Sequence, residues 1–258
     1  MSAMHLLLEA GALLRRSAKA SSDSISALVV AAIGTASSLL IAGFVIWLLF
    51  SRVRVGGVWH FEQAALVLSI YLIADGLVST FLTPALSNLS TQIRSGDFDA
   101  LLLLPGSLQI RLTIGQADLW RLMDCAFGVG MLVISLPSMG LVNGCEFAIL
   151  SAMAVGIVYA IWLMIFSLNL WVLRLENVAQ LFSVFLSVCR YPISTYPKWF
   201  GMVLSFSTPL AFVSTVPALV AFGHVGLLLV LKGTAIAVCA TAISQWCLRK
   251  SVHAFVGI

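Results

Sequence analysis

Charge is scarce in this chain: Asp, Glu, Lys and Arg make up only 9% of its 258 residues. Soluble domains carry about 25%, so the shortage excludes a soluble globular fold, and no stretch is polar enough to form a separate aqueous domain. The five cysteines (Cys125, Cys145, Cys189, Cys239 and Cys247) are scattered and odd in number, and they form no CxxC pair or Cys/His cluster. That argues against a disulfide framework and against a metal centre. Also missing are a P-loop, a GxSxG elbow, an HExxH pair and paired intramembrane aspartates. His5, His60, His224 and His253 lie in different loops or tails. With no phosphate cradle, the chain is expected to hold no nucleotide or other cofactor of its own. The net charge of +4 gives no reason to expect nucleic acid.

Apolar residues are abundant, at 61% of the chain. A spanning helix needs ~20 of them, which leaves room for about six spans and little else. The pattern predicts an all-α membrane protein with six transmembrane helices in a single domain, 1–258. Residues 1–24 carry Leu6, Ala10, Leu13 and Leu14 on one helical face, with Glu9, Arg15 and Arg16 outside it. That fits a helix lying in the membrane interface and does not fit a cleaved signal peptide. The spans are expected at about 27–50, 63–86, 118–136, 147–173 and 225–248, with a short fifth segment at 178–188. Gly34, Ser38 and Ala42 form a small-residue stripe on the first span, and Gly233, Ala237 and Thr241 another on the last. Lys232 is expected to snorkel to the nearer surface.

Asp75 falls near the middle of the second span. An isolated carboxylate there is costly and must face protein or water. Its functional reading is a polar contact in a substrate or ion path; its plainer one is a hydrogen-bonded tether between helices. Only Asp75 is read as lying deep. Asp118, Arg121 and Asp124 are spaced three apart, which predicts an ion-pair ladder at the membrane surface.

Two stretches break the apolar pattern. The first is a polar island over 87–116, in which Arg94, Asp97 and Asp99 precede the greasy run Leu101–Leu104 and Pro105. A short surface helix with a charged start and an apolar end must bury that end, in the headgroup boundary or in another protein. The second is a proline-rich region over 191–220 with Pro192, Pro197, Pro209 and Pro217, and with Tyr191, Tyr196, Lys198 and Trp199 as interfacial residues. Each proline frees a carbonyl, and broken backbone inside lipid must be covered by protein or line a wet cavity. The region therefore reads as kinked or re-entrant. Nine basic residues against four favour both termini in the cytoplasm. The island then lies inside and the proline-rich region at the outer face.

The island's GDFDALLLLPGSLQIR and the later RYPISTYPKWFGMVLSFSTPLAFVSTVPA resemble the permease subunits of ABC-2-type ATP-binding-cassette exporters, in a bacterial branch of uncharacterised permeases. The resemblance implies a multi-pass protein of the bacterial plasma membrane that works with cytoplasmic ABC ATPase subunits, where ATP and Mg bind. It also implies a second, related permease as dimer partner. It makes the island a coupling helix, with Ile93, Arg94, Asp97, Phe98, Asp99, Leu101 and Leu102 as coupling residues. Phe98, Leu101 and Leu102 would supply the apolar core of docking and the charged residues its rim. Tyr191, Pro192, Tyr196, Pro197, Pro209 and Pro217 are the candidates for gating at an outer re-entrant hairpin, and an architectural role is the alternative for the prolines. Relatives often carry a basic residue where this chain has Leu104. Rival functions are a non-transporting membrane scaffold that recruits a soluble partner, and an intramembrane enzyme built on Asp75, which lacks a second catalytic group.

Overall fold

The computed structural model describes residues 11–13, 15, 25–52, 61–103, 108–136, 141–172, 178–191, 196–197, 199, 212–222 and 227–256. Among these residues the regular structure is entirely helical. The elements are α1 (Ile25–Arg52), α2 (Phe61–Leu77), α3 (Thr83–Ser95), α4 (Asp97–Leu103), α5 (Leu108–Ile114), α6 (Leu122–Ser135), α7 (Leu141–Val172), α8 (Val178–Ser187), α9 (Thr215–Ala221) and α10 (Leu227–Val256). Three described stretches are long and apolar enough to cross a membrane: Glu62–Leu89, Gly144–Trp171 and Val230–Phe255. Shorter apolar helical stretches lie at Ala32–Val45 and Val178–Arg190. Most of the expected N-terminal interfacial helix lies outside the described residues.

The second span does not end near Leu86, as its hydropathy suggested. It runs from α2 through a π-helical turn, Val78–Leu82, directly into α3 and on to Ser95. Pro84, at the start of α3, is the cause. It has no N–H to give the carbonyl four residues back, that of Thr80, and its ring crowds the preceding turn. The Thr80 carbonyl accepts instead from the Asp118 N–H at 2.9 Å. The Leu82 carbonyl accepts from the Trp162 indole Nε1–H at 2.9 Å. The π turn therefore fastens this long helix both to the approach to α6 and to α7.

Two glycines set the packing of α2 on α6. A methyl group on Gly76 would come within 2.6 Å of the Cys125 backbone nitrogen, and one on Gly128 within 2.9 Å of that of Ile73. Both approaches are closer than any side chain allows, so these helices touch backbone to backbone. On the other side of the bundle, α7 and α10 pack along much of their length. Gly233 and Ala237 of α10 are buried, so that small-residue stripe is used within the chain. Lys232 is exposed. At 32 residues, α7 is about 48 Å long, well beyond a hydrocarbon core of ~30 Å. Near its end Phe166 meets Phe98 of α4, which also touches Phe255 near the end of α10.

Candidate functional site

The polar island folds as a helical hook against the ends of α7 and α10. Gly96 has φ of +80°, a left-handed conformation open to glycine at little cost, and it terminates α3. The chain restarts at once as α4, with Asp97 and Asp99 in its first turn, where carboxylates suit the exposed N–H groups. The Ser95 hydroxyl donates to Asp97 at 2.6 Å, and the Asp99 N–H to the Gly96 carbonyl at 3.2 Å.

This geometry turns Phe98 inward, where it is 0% exposed. Its ring centroid lies 6.5 Å from that of Phe166 on α7 and 5.3 Å from that of Phe255 on α10, edge-on at 89°. Ile93 and Leu102 pack against the same core. The expectation that Phe98 would be an apolar docking residue for a partner is therefore corrected: it anchors the hook to its own chain. An alternation of charge and grease along a short helix does not reveal which side faces the bundle. The outward face carries Asp97, Asp99 and Ala100, with Leu103 87% exposed. Leu103 was not singled out from the sequence, although it is the apolar knob of that face. The side chains of Arg94 and Leu101 lie outside the described residues.

The return limb is stitched to the bundle. The Asn88 amide donates to Gln116 at 3.1 Å, and the Gln109 amide on α5 donates to Gln245 on α10 at 2.6 Å. An open, almost wholly apolar groove of about 520 Å³ lies between α2, the end of α5 and α7, lined by residues including Ala74, Phe81, Ile114, Val155 and Tyr159.

Deeper in the bundle a polar cluster joins four elements. The Thr35 hydroxyl on α1 donates to the Asp124 carboxylate on α6 at 2.5 Å. Asp75 on α2 lies within reach of the charges of Asp124 and Arg190. Arg190, at the end of α8, donates to the Ser38 hydroxyl at 2.9 Å and lies 5.2 Å from the centre of the Tyr71 ring. Two expectations are corrected here. Asp124 is buried and turned into the bundle, so only Arg121 and Asp118, 4.0 Å apart, remain of the surface ladder. Asp75 is not the one deep acid, because Asp124 lies beside it. Position on a periodic stripe could not reveal this; the close approach permitted by Gly76 does, since its added methyl would sit 3.1 Å from the Asp124 Cβ. Asp75, Asp124 and Arg190 thus form one polar knot, in which an acid inside the bundle can be tolerated.

Of the proline-rich region, Pro192 and Pro209 lie outside the described residues. Tyr191 is extended, as a residue before proline must be. Pro192 can give no N–H to the Val188 carbonyl, four residues back, and the Tyr196 hydroxyl donates there at 3.0 Å. The Ser214 hydroxyl donates to the Cys189 carbonyl at 2.7 Å. Pro217 is buried in the first turn of α9, where no N–H is missed. Pro197 is exposed.

A family model described as "ABC-2 family transporter protein" matches residues 37–258. The chain belongs to the ABC-2 transporter family. A comparison with curated proteins gives no match. This ABC-2 transporter protein is thus a permease component, and its family implies association with ABC ATPase subunits. The match takes in the hook, the proline-rich region and all of the polar cluster but Thr35.

Proposed function

We propose that this chain is the transmembrane permease subunit of an ATP-driven exporter in the bacterial plasma membrane. It has six spans, both termini in the cytoplasm, and a second permease as its dimer partner. ATP and Mg bind and react on separate cytoplasmic ATPase subunits, and the chain itself carries out no covalent chemistry. The hook α3–α4 is the contact through which those subunits move the spans. One observation carries this reading: α4 is held from behind by the Phe98–Phe166–Phe255 contact, while its acidic outer face and Leu103 remain exposed. A push on that face is passed to α7 and α10 by packed aromatic rings, which transmit displacement because interiors are close-packed. The apolar groove beside α2 and α7 favours an amphiphilic substrate that enters sideways from the bilayer.

Replacing Leu103→Asp is expected to leave the permease folded and membrane-inserted. It should also cut recovery of the co-expressed ATPase about ten-fold or more, as for loss of an apolar hot spot. Unchanged recovery, together with unchanged ATP hydrolysis in reconstituted vesicles, would remove the hook from the coupling role.

A further inference from the structure

A second cavity, of about 230 Å³, lies between α7 and α10 toward the same end of the bundle. It is lined by Met164, Ser167, Leu168 and Trp171 from α7 and by Trp246, Cys247, Lys250 and Ser251 from α10. The α7 residues fall at i, i+3, i+4 and i+7, one face of one helix. Small residues form the floor: Ser167, Cys247 and Ser251. The two seryl hydroxyls are committed to their own helices, Ser167 to the Leu163 carbonyl at 2.7 Å and Ser251 to the Cys247 carbonyl at 2.8 Å. The floor is thus apolar in effect although its residue names are polar. Leu168 and Trp171 at the mouth are each about half exposed, at 52%.

One charge serves this cavity. The Lys250 ammonium sits 5.0 Å from the centre of the Trp246 ring and 5.8 Å from that of Trp171. These contacts hold it over the cavity mouth, and none of the lining residues is acidic. Arg249, the next residue, is also exposed. Tryptophans at helix ends mark the headgroup level of a bilayer. A basic residue beyond them, over an apolar slot between two spans, is the arrangement that receives an acidic headgroup above and a hydrocarbon chain below.

We infer that the α7–α10 cavity is a binding site for an anionic phospholipid, with its phosphate on Lys250 and an acyl chain along Leu168 and Met164. The site lies apart from the α2–α7 groove, and its occupancy does not depend on what the permease transports. The bound lipid would brace the ends of α7 and α10, the two helices that grip Phe98.

The test is native mass spectrometry of the purified full chain, delipidated and titrated with phosphatidylglycerol or with phosphatidylcholine of the same acyl composition. The wild-type chain is expected to bind phosphatidylglycerol about five-fold more tightly, the effect of one basic residue at a membrane surface. Lys250→Gln should abolish that preference and Lys250→Arg should keep it. Leu168→Trp, which fills the mouth, should lower phosphatidylglycerol retention with the charge intact. Equal binding of the two lipids by the wild-type chain, or an undiminished preference in Lys250→Gln, would overturn the assignment. So would equally tight binding of glycerophosphoglycerol, which has the headgroup and no chains, since that marks a site for a soluble anion. A dimer that disappears in Lys250→Gln would identify the surface as a contact between copies and would equally overturn it. Lys250 is exposed, so its replacement leaves the packing of the bundle untouched.

Discussion

At the scale of single residues, the decisive distinction is between side chains that face the bundle and those that face away from it. Phe98 and Leu103 lie five positions apart on one short helix and do opposite things. Phe98→Ala empties the centre of an aromatic trio, and it is expected to destabilise the fold by about 3–5 kcal/mol, read as a lower Tm of the purified chain. A Tm within a degree of wild type would show that the pin bears no load. Arg190 is the other residue on which several elements depend. Arg190→Ala removes the donor to Ser38 and the cation over the Tyr71 ring, and it is expected to destabilise the fold by about 1.5–3 kcal/mol, the worth of a hydrogen bond to a charged group. Arg190→Lys should recover only part of this, because an ammonium cannot reproduce the planar fork that reaches Ser38 and Tyr71. Equal Tm values for both variants and the wild-type chain would refute the knot. From the sequence, the polarity of these residues was legible and their partners were not. Arg190 is 115 positions from Asp75 and 152 from Ser38, and nothing local in the chain links them.

At the scale of elements, hydropathy found the helices to within a few residues where the pattern ended cleanly, as at the start of α1 and through α6. It failed where a helix continues past its apolar part. The residues Thr83–Ser95 are polar on average yet extend the second span, because Pro84 makes a π turn and not a break. Pro84 was visible in the chain, but a proline alone does not say whether its orphaned carbonyl finds a new donor. Here Asp118 supplies one. Pro84→Ala restores an N–H that competes for the Thr80 carbonyl. The Asp118 amide is then expected to exchange with solvent about five-fold faster, in keeping with the net worth of one hydrogen bond. Hydrogen–deuterium exchange of the peptide containing Asp118 checks this, and an unchanged rate would mean that the π turn does not hold the third span.

At the scale of the whole molecule, two mechanical units are joined by one long helix. One is the hook and its aromatic pin on α7 and α10; the other is the polar knot that joins α1, α2, α6 and the end of α8. The long helix through α2, the π turn and α3 connects them, so movement at α4 reaches the knot without crossing a loop. Composition made the membrane class legible. The choice of the hook's outer face came only from the packed structure, since either face of α4 offers leucine and acid.

The most direct test concerns the side on which that face lies and what covers it. With the five native cysteines replaced, Leu103→Cys is treated with a membrane-impermeant maleimide in intact cells and in inside-out vesicles, with and without the ATPase subunit. The account predicts no labelling in intact cells, labelling in inside-out vesicles, and loss of that labelling when the ATPase is bound. Labelling of Leu103→Cys from outside intact cells would contradict it.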